Sequence, residues 1–434
     1  MATFTPMTVA DIVDTLFPSG TPFKWEAFDG SSTGPADAKH TVRVNSPEGL
    51  SYIVTHPGDV GLARAWVTDG LAVEGAHLAH PYDVFDDMRT LYGNYKRPNP
   101  REIVRIARSL RSMGALQIQP VPEAEQASWL ERTIRQGLAP HSKERDAQVI
   151  SSHYDVGNDF YELFLGKSMA YTCAYYPTPD ATLDEAQENK FRLVFEKMHL
   201  KPGDKHLDVG CGWGSMVRYA ARQGVKSLGV TLSREQAEWA QAKIKEEGLE
   251  ELAEVRFLDY RDVTETDFDG ISSIGLLEHI GVDNYASYFQ FLADKLRPGG
   301  VMVNHCITYP DNHETPQGDF INRYIFPDGE LTGSGTIIHE MQDHGFEVYH
   351  EENIRFDYMR TLHDWCENLK ANWDEAVSLV GMNTAKLWGM YMAGSEWGFE
   401  HDVVELHQVI GIKLDENGSR AGTPERRWWN DSVF

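Results

Sequence analysis

The run His206-Leu-Asp-Val-Gly-Cys-Gly-Trp-Gly214 decides how this chain is read. Its first four residues read as a strand, the glycines as a turn, and the residues from Ser215 onward as a helix. Glycine at 210, 212 and 214 lets the main chain bend tightly and lets a ligand lie against main-chain atoms. The spacing is Gly-x-Gly-x-Gly, not the Gly-x-Gly-x-x-Gly of most dinucleotide sites. Working outward, strand-like runs recur at 227–230, 254–257, 271–274 and 301–307 with helical stretches between them. That alternation argues for a parallel α/β sheet. Residues 345–350 and 402–413 offer two more strands, and 356–397 read as aromatic-rich helix.

A dinucleotide site expects an acid about 20 residues past the glycines, to hold a ribose hydroxyl. Here the chain reads Gly229-Val-Thr-Leu-Ser-Arg-Glu-Gln236, with no acid directly after the strand, which disfavours an NAD enzyme. Thr231, Ser233 and Gln236 offer polar atoms to a ribose or an amino acid; a plain helix cap by Ser233 competes with that reading. In open α/β sheets ligands bind beyond the carboxyl ends of the strands. Glu278, in Ser273-Ile-Gly-Leu-Leu-Glu-His-Ile-Gly281, and His305, in Val303-Asn-His-Cys-Ile-Thr308, both follow strand-like runs and are expected to meet there. The bland alternatives are a surface cap and a hydrogen-bonded histidine. His77-x-x-His80 lacks neighbouring ligands and is read as surface, so no metal site is expected.

The chain has 434 residues, with 40 Lys plus Arg against 66 Asp plus Glu, a formal charge of −26. That balance works against non-specific nucleic-acid binding, and any contact with anionic lipid needs a local basic patch. Lys96, Arg97, Arg101, Arg105, Arg108 and Arg111 form one, and the 101/105/108 spacing is a single helix face. Ile103, Ile106 and Leu110, spaced three and four apart, fall on another face, so the helix is basic and amphipathic. Arg426-Arg-Trp-Trp429 is a second candidate for the interface. Residues 41–55 read as two short strands around Pro47-Glu48-Gly49, and 60–73 and 83–92 as helices. The Pro-containing, charged stretch 119–150 reads as a linker. It separates a smaller α+β N-terminal accessory domain, 1–140, from a catalytic domain, 141–434. The four cysteines are read as reduced thiols. No signal peptide and no transmembrane helix are expected.

Residues from about 150 onward resemble the cyclopropane fatty-acid synthase family. The resemblance rests on HYDVGNDFYELFL, YTCAYY, LDVGCGWGS, GVTLSREQ, LDYRDV, GLLEHIG, NHCIT and NRYIFPDG, in that order. It implies a class I methyltransferase fold: a Rossmann-like, seven-stranded, mostly parallel sheet with helical insertions. It also implies S-adenosylmethionine as cofactor. Contacts to that cofactor map onto Tyr171, Thr172, Asp208, Gly210, Cys211, Gly212, Thr231, Leu232 and Gln236, with Asp259 and Tyr260 at the adenine end. A bicarbonate base maps onto Cys173, Glu278, His305, Tyr358 and the main chain of Ile307. The sequence departs from many members at Leu277 and Asn304.

The implied reaction transfers a one-carbon unit to the cis double bond of an unsaturated fatty-acyl chain of a phospholipid. It passes through a carbocation deprotonated by bicarbonate and gives a 10-methylene-branched or a cyclopropane fatty acid, with a lean to the former. Aromatic faces stabilise cations, and Tyr161, Tyr171, Tyr175, Tyr176, Trp365, Trp373 and Trp388 are candidates. Expected partners are phospholipid acyl chains at the inner membrane face, a reductase acting on a methylene product, and a second copy of the chain. The protein is expected in the cytoplasm, peripherally associated with that membrane. The competing readings are a methyltransferase of a soluble acceptor and a non-catalytic lipid-binding protein on the same fold.

Overall fold

Residues 41–55 form a strand followed by a helix, not two strands. Ser46 accepts from the Gly49 N–H and Pro47 takes the first helical position, so the Pro-Glu-Gly triplet opens a helix. The strand belongs to a four-stranded sheet built from β1 (Lys24–Ala27), β2 (Ser32–Thr33), β3 (Thr41–Val44) and β4 (Leu71–Glu74), in the order β2-β1-β3-β4. Among the described residues up to 122, helices α1 (Val9–Leu16), α2 (Pro47–Thr55), α3 (Asp59–Val67), α4 (Tyr82–Gly93) and α5 (Pro100–Ser112) accompany it. The helix expected over 60–73 stops at Val67. Asp69 takes a left-handed φ of 56°, Gly70 packs against Gly49, and the chain re-enters the sheet as β4. Phe23, Val42, Val44, Tyr52 and Leu71 are buried together in the core of this unit.

The computed structural model describes residues 5–122, 125, 143, 157–313, 315 and 318–430. Most of the expected linker, and Ser152 to Val156 of the first polar segment, lie outside them. Contacts divide the chain into two compact units, the first being Met1–Ile134, Gly318–Ile325 and Leu369–Trp397. The two later segments therefore group with the N-terminal residues, whereas the boundary expected at 140/141 assigns them to the other side. The reason is apolar packing: Leu387 is buried against Trp66 and Val67. Gly389 approaches so closely that a Cβ there would lie 2.2 Å from the Leu78 carbonyl oxygen.

The second unit is Arg135–Gln317, Phe326–Asn368 and Gly398–Phe434. Its helices are α6 (Asn158–Leu165), α7 (Leu183–Lys197), α8 (Ser215–Arg222), α9 (Arg234–Glu246), α10 (Tyr285–Lys295) and α11 (Ser334–Asp343), with α12 (Arg355–Ala371) following. Its sheet runs β10-β11-β9-β8-β5-β6-β7, built from β5 (Lys205–Val209), β6 (Lys226–Thr231), β7 (Ala253–Phe257), β8 (Phe268–Ile274), β9 (Leu296–Thr308), β10 (Phe346–Asn353) and β11 (Glu405–Lys413). The first five of these are parallel; β11 is antiparallel to both β9 and β10. This is the seven-stranded, mostly parallel sheet that the sequence implies. From β5 the chain first builds outward to β6 and β7, then returns to β8 on the other side. Such a reversal opens a crevice at the carboxyl ends of the two central strands.

Both faces of the sheet are covered. Met302 and Cys306 pack with Phe289, Leu292 and Met341 on one side, and Val301 and Val303 with Phe191, Leu193 and Val194 on the other. Gly229 of β6 shows how closely α8 sits: a Cβ there would fall 2.7 Å from Val217 Cγ2 and 2.8 Å from Cys211 Sγ. Gly229→Ala is expected to lower stability by about 1–3 kcal/mol through overpacking, read as a drop in Tm. Trp429, expected as an interfacial anchor, is instead buried, and Trp428 stacks on Tyr349 at 5.2 Å and donates to the Glu196 carbonyl. These rings complete a core and do not present an apolar edge. Among the described residues no helix is long and apolar enough to cross a membrane.

Candidate active site

The glycine turn after β5 forms the floor of a cleft. Gly210 has φ +71° and faces Leu276, whose Cβ lies 3.0 Å from where a Gly210 side chain would begin, so only glycine fits. Gly214, also left-handed, starts α8. The cleft holds about 520 Å³ of empty space, counting its open mouth. Asp208, Gly210, Cys211 and Gly212 line one side and Gln236 another, while Tyr171, Thr172, Lys190 and Gly275 face them. Thr231 reaches the cleft through Gln236, accepted by its Oε1 at 2.8 Å; Ser233 caps α9 through the Gln236 N–H. Both readings of this segment therefore hold at once. Gln236 Nε2 is buried and has no partner among the described residues. Leu232, Asp259 and Tyr260 do not line the cleft. Asp259 is held by Arg261, at 2.6 Å to the guanidinium, and Tyr260 packs edge-on to Tyr288 and Phe291.

Lys190 and Gln187, on α7, hold the segment opposite the glycines. Gln187 Nε2 donates to the Thr172 carbonyl at 2.9 Å, and Lys190 Nζ donates to Thr172 Oγ1 at 2.7 Å. An ammonium can only donate, so the Thr172 hydroxyl proton is directed elsewhere. Lys190 is buried, and burial pulls its amine down to about 7 against the pull of Cys173 and Asp208. Among the described residues no carboxylate forms an ion pair with it. Asp208 accepts from Ser272 at 2.5 Å, and burial pushes its carboxyl up to about 7. Ser272 also bonds His206, whose other ring nitrogen bonds Ser227. This buried polar row fixes the end of β5.

A second polar group lies where β8 and β9 end. Glu278 sits in the short 3₁₀ turn Leu277–His279; Leu277 itself is buried in the core. Glu278 Oε1 accepts the Ile307 N–H at 2.8 Å, so this main-chain donor is already engaged. Glu278 Oε2 is shielded from solvent and has no partner among the described residues. Burial pushes its carboxyl up to about 7, the Ile307 N–H opposing the shift. His305 lies two residues before Ile307 on β9, so both face the same side of the sheet. Lys197 Nζ donates to Gln408 Oε1 at 2.5 Å, and Gln408 Nε2 lies 3.0 Å from His305 Nδ1. Lysine has only donors, so Gln408 must present its amide nitrogen to His305. His305 Nδ1 therefore accepts, and its proton resides on Nε2, which is buried with no partner among the described residues. Burial and the nearby Lys190 and Lys197 hold the ring well below its ordinary range, so it is neutral.

Cys173 and Tyr358 join this region through Ile354. The Cys173 sulfur lies 4.0 Å from the Ile354 carbonyl oxygen, which also accepts the Tyr358 N–H at 3.3 Å. Ile354 in turn donates to the carbonyl of Leu406, the register partner of Ile307. Burial pushes the Cys173 thiol far up, so it stays protonated. Asn304 points to the opposite face of β9 and donates to Cys306 at 3.2 Å. An aromatic row adjoins both groups: Trp365 lies 5.4 Å from Tyr171 and 6.1 Å from Tyr358, and Tyr161 lies 5.7 Å from Tyr171. Tyr176 is tied to Asp364 at 2.7 Å, Tyr175 packs near Lys197, and Trp373 and Trp388 lie in the first unit.

Sequence reasoning passed over Lys190, Gln187, Lys197 and Gln408. A signal was present on α7. Gln187, Lys190, Val194 and Lys197 recur at three- and four-residue steps, so polar residues share the buried stripe with valine.

A glycine turn at the reversal of a mixed seven-stranded sheet, facing a buried lysine and an orphaned amide, defines a class I S-adenosylmethionine-dependent methyltransferase. The Mycolic acid cyclopropane synthetase family model matches residues 141–409, and the chain belongs to that family. A probable fatty acid methyltransferase of Mycobacterium tuberculosis is 51% identical over 425 residues, covering 98% of each chain. The cyclopropane-fatty-acyl-phospholipid synthase of Escherichia coli is 36% identical over 64% of this chain and 71% of its own. Among solved structures, the cyclopropane synthase MmaA2 from Mycobacterium tuberculosis superposes with a TM-score of 0.58 at 30% identity, over 63% of this chain and 99% of that one. The mycolic acid cyclopropane synthase CmaA1, solved with SAH and CTAB, gives 0.57 at 31% identity, over 61% of this chain and 97% of that one.

Proposed function

We propose that this methyltransferase acts on the cis double bond of an unsaturated acyl chain carried by a phospholipid, giving a methylene-branched or cyclopropane product. The buried Glu278 Oε2 acceptor and His305 Nε2–H donor carry the reading. A nitrogen or oxygen acceptor attacks through a lone pair; an alkene has none, and its product must lose a carbon-bound proton. A buried acceptor after β8 and a neutral donor on β9 suit a small anion that takes this proton. Glu278, His305, Cys173 and Tyr358 would hold a bicarbonate there. Bound S-adenosylmethionine supplies an electrophilic methyl group, and bicarbonate supplies a base.

The chain's own residues do the rest. Lys190, which lines the cleft and donates to Thr172 Oγ1, would hold the carboxylate of the cofactor. Gly210 and Gly212 let the cofactor lie against main chain, and Gln236 Nε2 awaits an acceptor. Attack by the alkene leaves a cation on the acyl chain. Tyr171, Trp365 and Tyr358 offer π faces to it and exclude the water that would trap it as an alcohol. Loss of a proton from the new methyl group closes a ring; after a hydride shift the same loss leaves a methylene branch, a substrate for a separate reductase.

Expression in a host rich in oleoyl phospholipid, with mass spectrometry of the fatty acids, tests the reading. A product heavier than the oleoyl chain by one CH2 group is expected for the cyclopropane and the methylene branch alike. An unchanged profile from folded, S-adenosylhomocysteine-binding protein overturns it.

A further inference from the structure

The basic helix is not simply a solvated face. Ile103 is 47% exposed, and its neighbour Val104 is 49% exposed. Val104 shares a helical row with Arg108 and Arg111, at four- and seven-residue steps, so an aliphatic side chain stands within the basic stripe. The inward face is Ser109 and Leu110. Beyond the helix the chain turns through Leu116-Gln117-Ile118, where Ile118 is 82% exposed. This exposure is held in place: Ser51 Oγ donates to the Gln117 carbonyl, and the Tyr52 hydroxyl to the Pro120 carbonyl at 2.7 Å. Among the described residues no carboxylate forms an ion pair with Arg101, Arg105 or Arg111, although the chain as a whole carries 66 acidic residues. Unpaired cations interleaved with exposed aliphatic side chains match an anionic bilayer, whose headgroups attract the arginines while its acyl region receives the isoleucines and valine. A nucleic acid would satisfy the charges and leave the aliphatic groups in water.

We infer that α5 and the following 114–120 turn form the surface by which the protein docks on an anionic lipid bilayer. This rests on the reading that the acyl substrate resides in phospholipid.

Sedimentation of the full chain with vesicles of phosphatidylglycerol and phosphatidylcholine in equal parts tests it, against vesicles of phosphatidylcholine alone. The wild-type protein is expected to sediment with the anionic vesicles and not with the neutral ones, and to be released by salt. Arg101→Glu/Arg105→Glu is expected to weaken binding by about tenfold or more. Ile118→Asp is expected to weaken it too, with salt sensitivity retained. Both changes are at exposed positions, and unaltered melting curves verify folding. Unchanged binding in both variants, equal binding to neutral vesicles, or no wild-type sedimentation overturns the inference. So does loss of a dimer in Ile118→Asp, by light scattering, with vesicle binding intact, since the patch then joins two copies. Turnover on oleoyl phospholipid dispersed in detergent is measured in parallel. Its absence in the wild-type protein counts against the substrate reading alone, and its persistence in variants that no longer sediment separates docking from catalysis.

Discussion

Glu278→Gln is expected to lower kcat by roughly 10²–10⁴-fold while leaving S-adenosylhomocysteine affinity within about twofold of the wild type. The substitution is nearly isosteric. A glutamine carbonyl still accepts the Ile307 N–H, so the turn after β8 keeps its anchor. What disappears is the charge and the free acceptor at Oε2. The carboxyl is pushed up to about 7 from its ordinary 4.5 by burial, so the wild-type rate is expected to climb as pH rises through about 7. The residual rate of the variant lacks that limb. Stability moves the opposite way. A folded-state value above the unfolded one means the fold holds this proton more tightly. The associated stability is complete below 4.5 and is lost as pH rises through about 7. Glu278→Gln has no charge to desolvate and is expected to melt no lower than wild type at pH 8. Full activity in the variant, or a melting point that falls at pH 8, removes Glu278 from the role given to it.

The His305 ring is oriented by a different route. Its Nε2–H is available because Lys197 fixes Gln408 and Gln408 fixes Nδ1. The position of the ring proton is thus set by a lysine on α7 and a glutamine on β11, neither of which touches Nε2. Second contacts of this kind fix a tautomer more firmly than a histidine alone can.

The sheet was legible because β5, β6, β8 and β9 are mostly buried runs separated by helical stretches and glycine turns. The β5 turn could be placed from Gly210, Gly212 and Gly214 alone, and Asp208, Cys211 and Gln236 came with it. Lys190 could not be found in the same way. In Leu183-Asp-Glu-Ala-Gln-Glu-Asn-Lys190 it is one charged residue among several, and only tertiary packing against Thr172 separates it from its solvated neighbours. Gln408 and His305 are 103 residues apart and meet only because β11 pairs with β9 in register. The N-terminal errors have a local cause. Ser46-Pro47 is a cap followed by a first-turn proline, yet the flanking valines and isoleucine carry strand propensity, and propensity yields to capping once the helix packs on α3. On α5 helical spacing put Ile103, Ile106 and Leu110 on one face, yet of the three only Leu110 is fully buried.

Lys190→Met is expected to weaken S-adenosylhomocysteine binding by roughly 10–100-fold, since a charge-assisted hydrogen bond is worth about 1.5–3 kcal/mol. The methionine fills the same buried channel, so Thr172 and the turn lose a donor without gaining a cavity. Proton counting distinguishes this from a packing defect. In the free protein the amine sits at about 7, because burial outweighs Asp208 and Cys173. A carboxylate brought beside it favours the charged form and raises that value. Binding at pH 8 must therefore take up a proton, and binding at pH 6, where the amine is already charged, must not. Asp208, also at about 7, adds the opposite sign on the acid side: any cation brought near it draws its proton off below pH 7. Calorimetry in buffers of different ionisation enthalpy reads both. Uptake above pH 7 is expected in wild type and is expected to vanish both in Lys190→Met and in Lys190→Arg, whose guanidinium is charged throughout. A methionine variant that binds as tightly as wild type, or that still takes up a proton at pH 8, shows that the anion in this cleft is met by some other group.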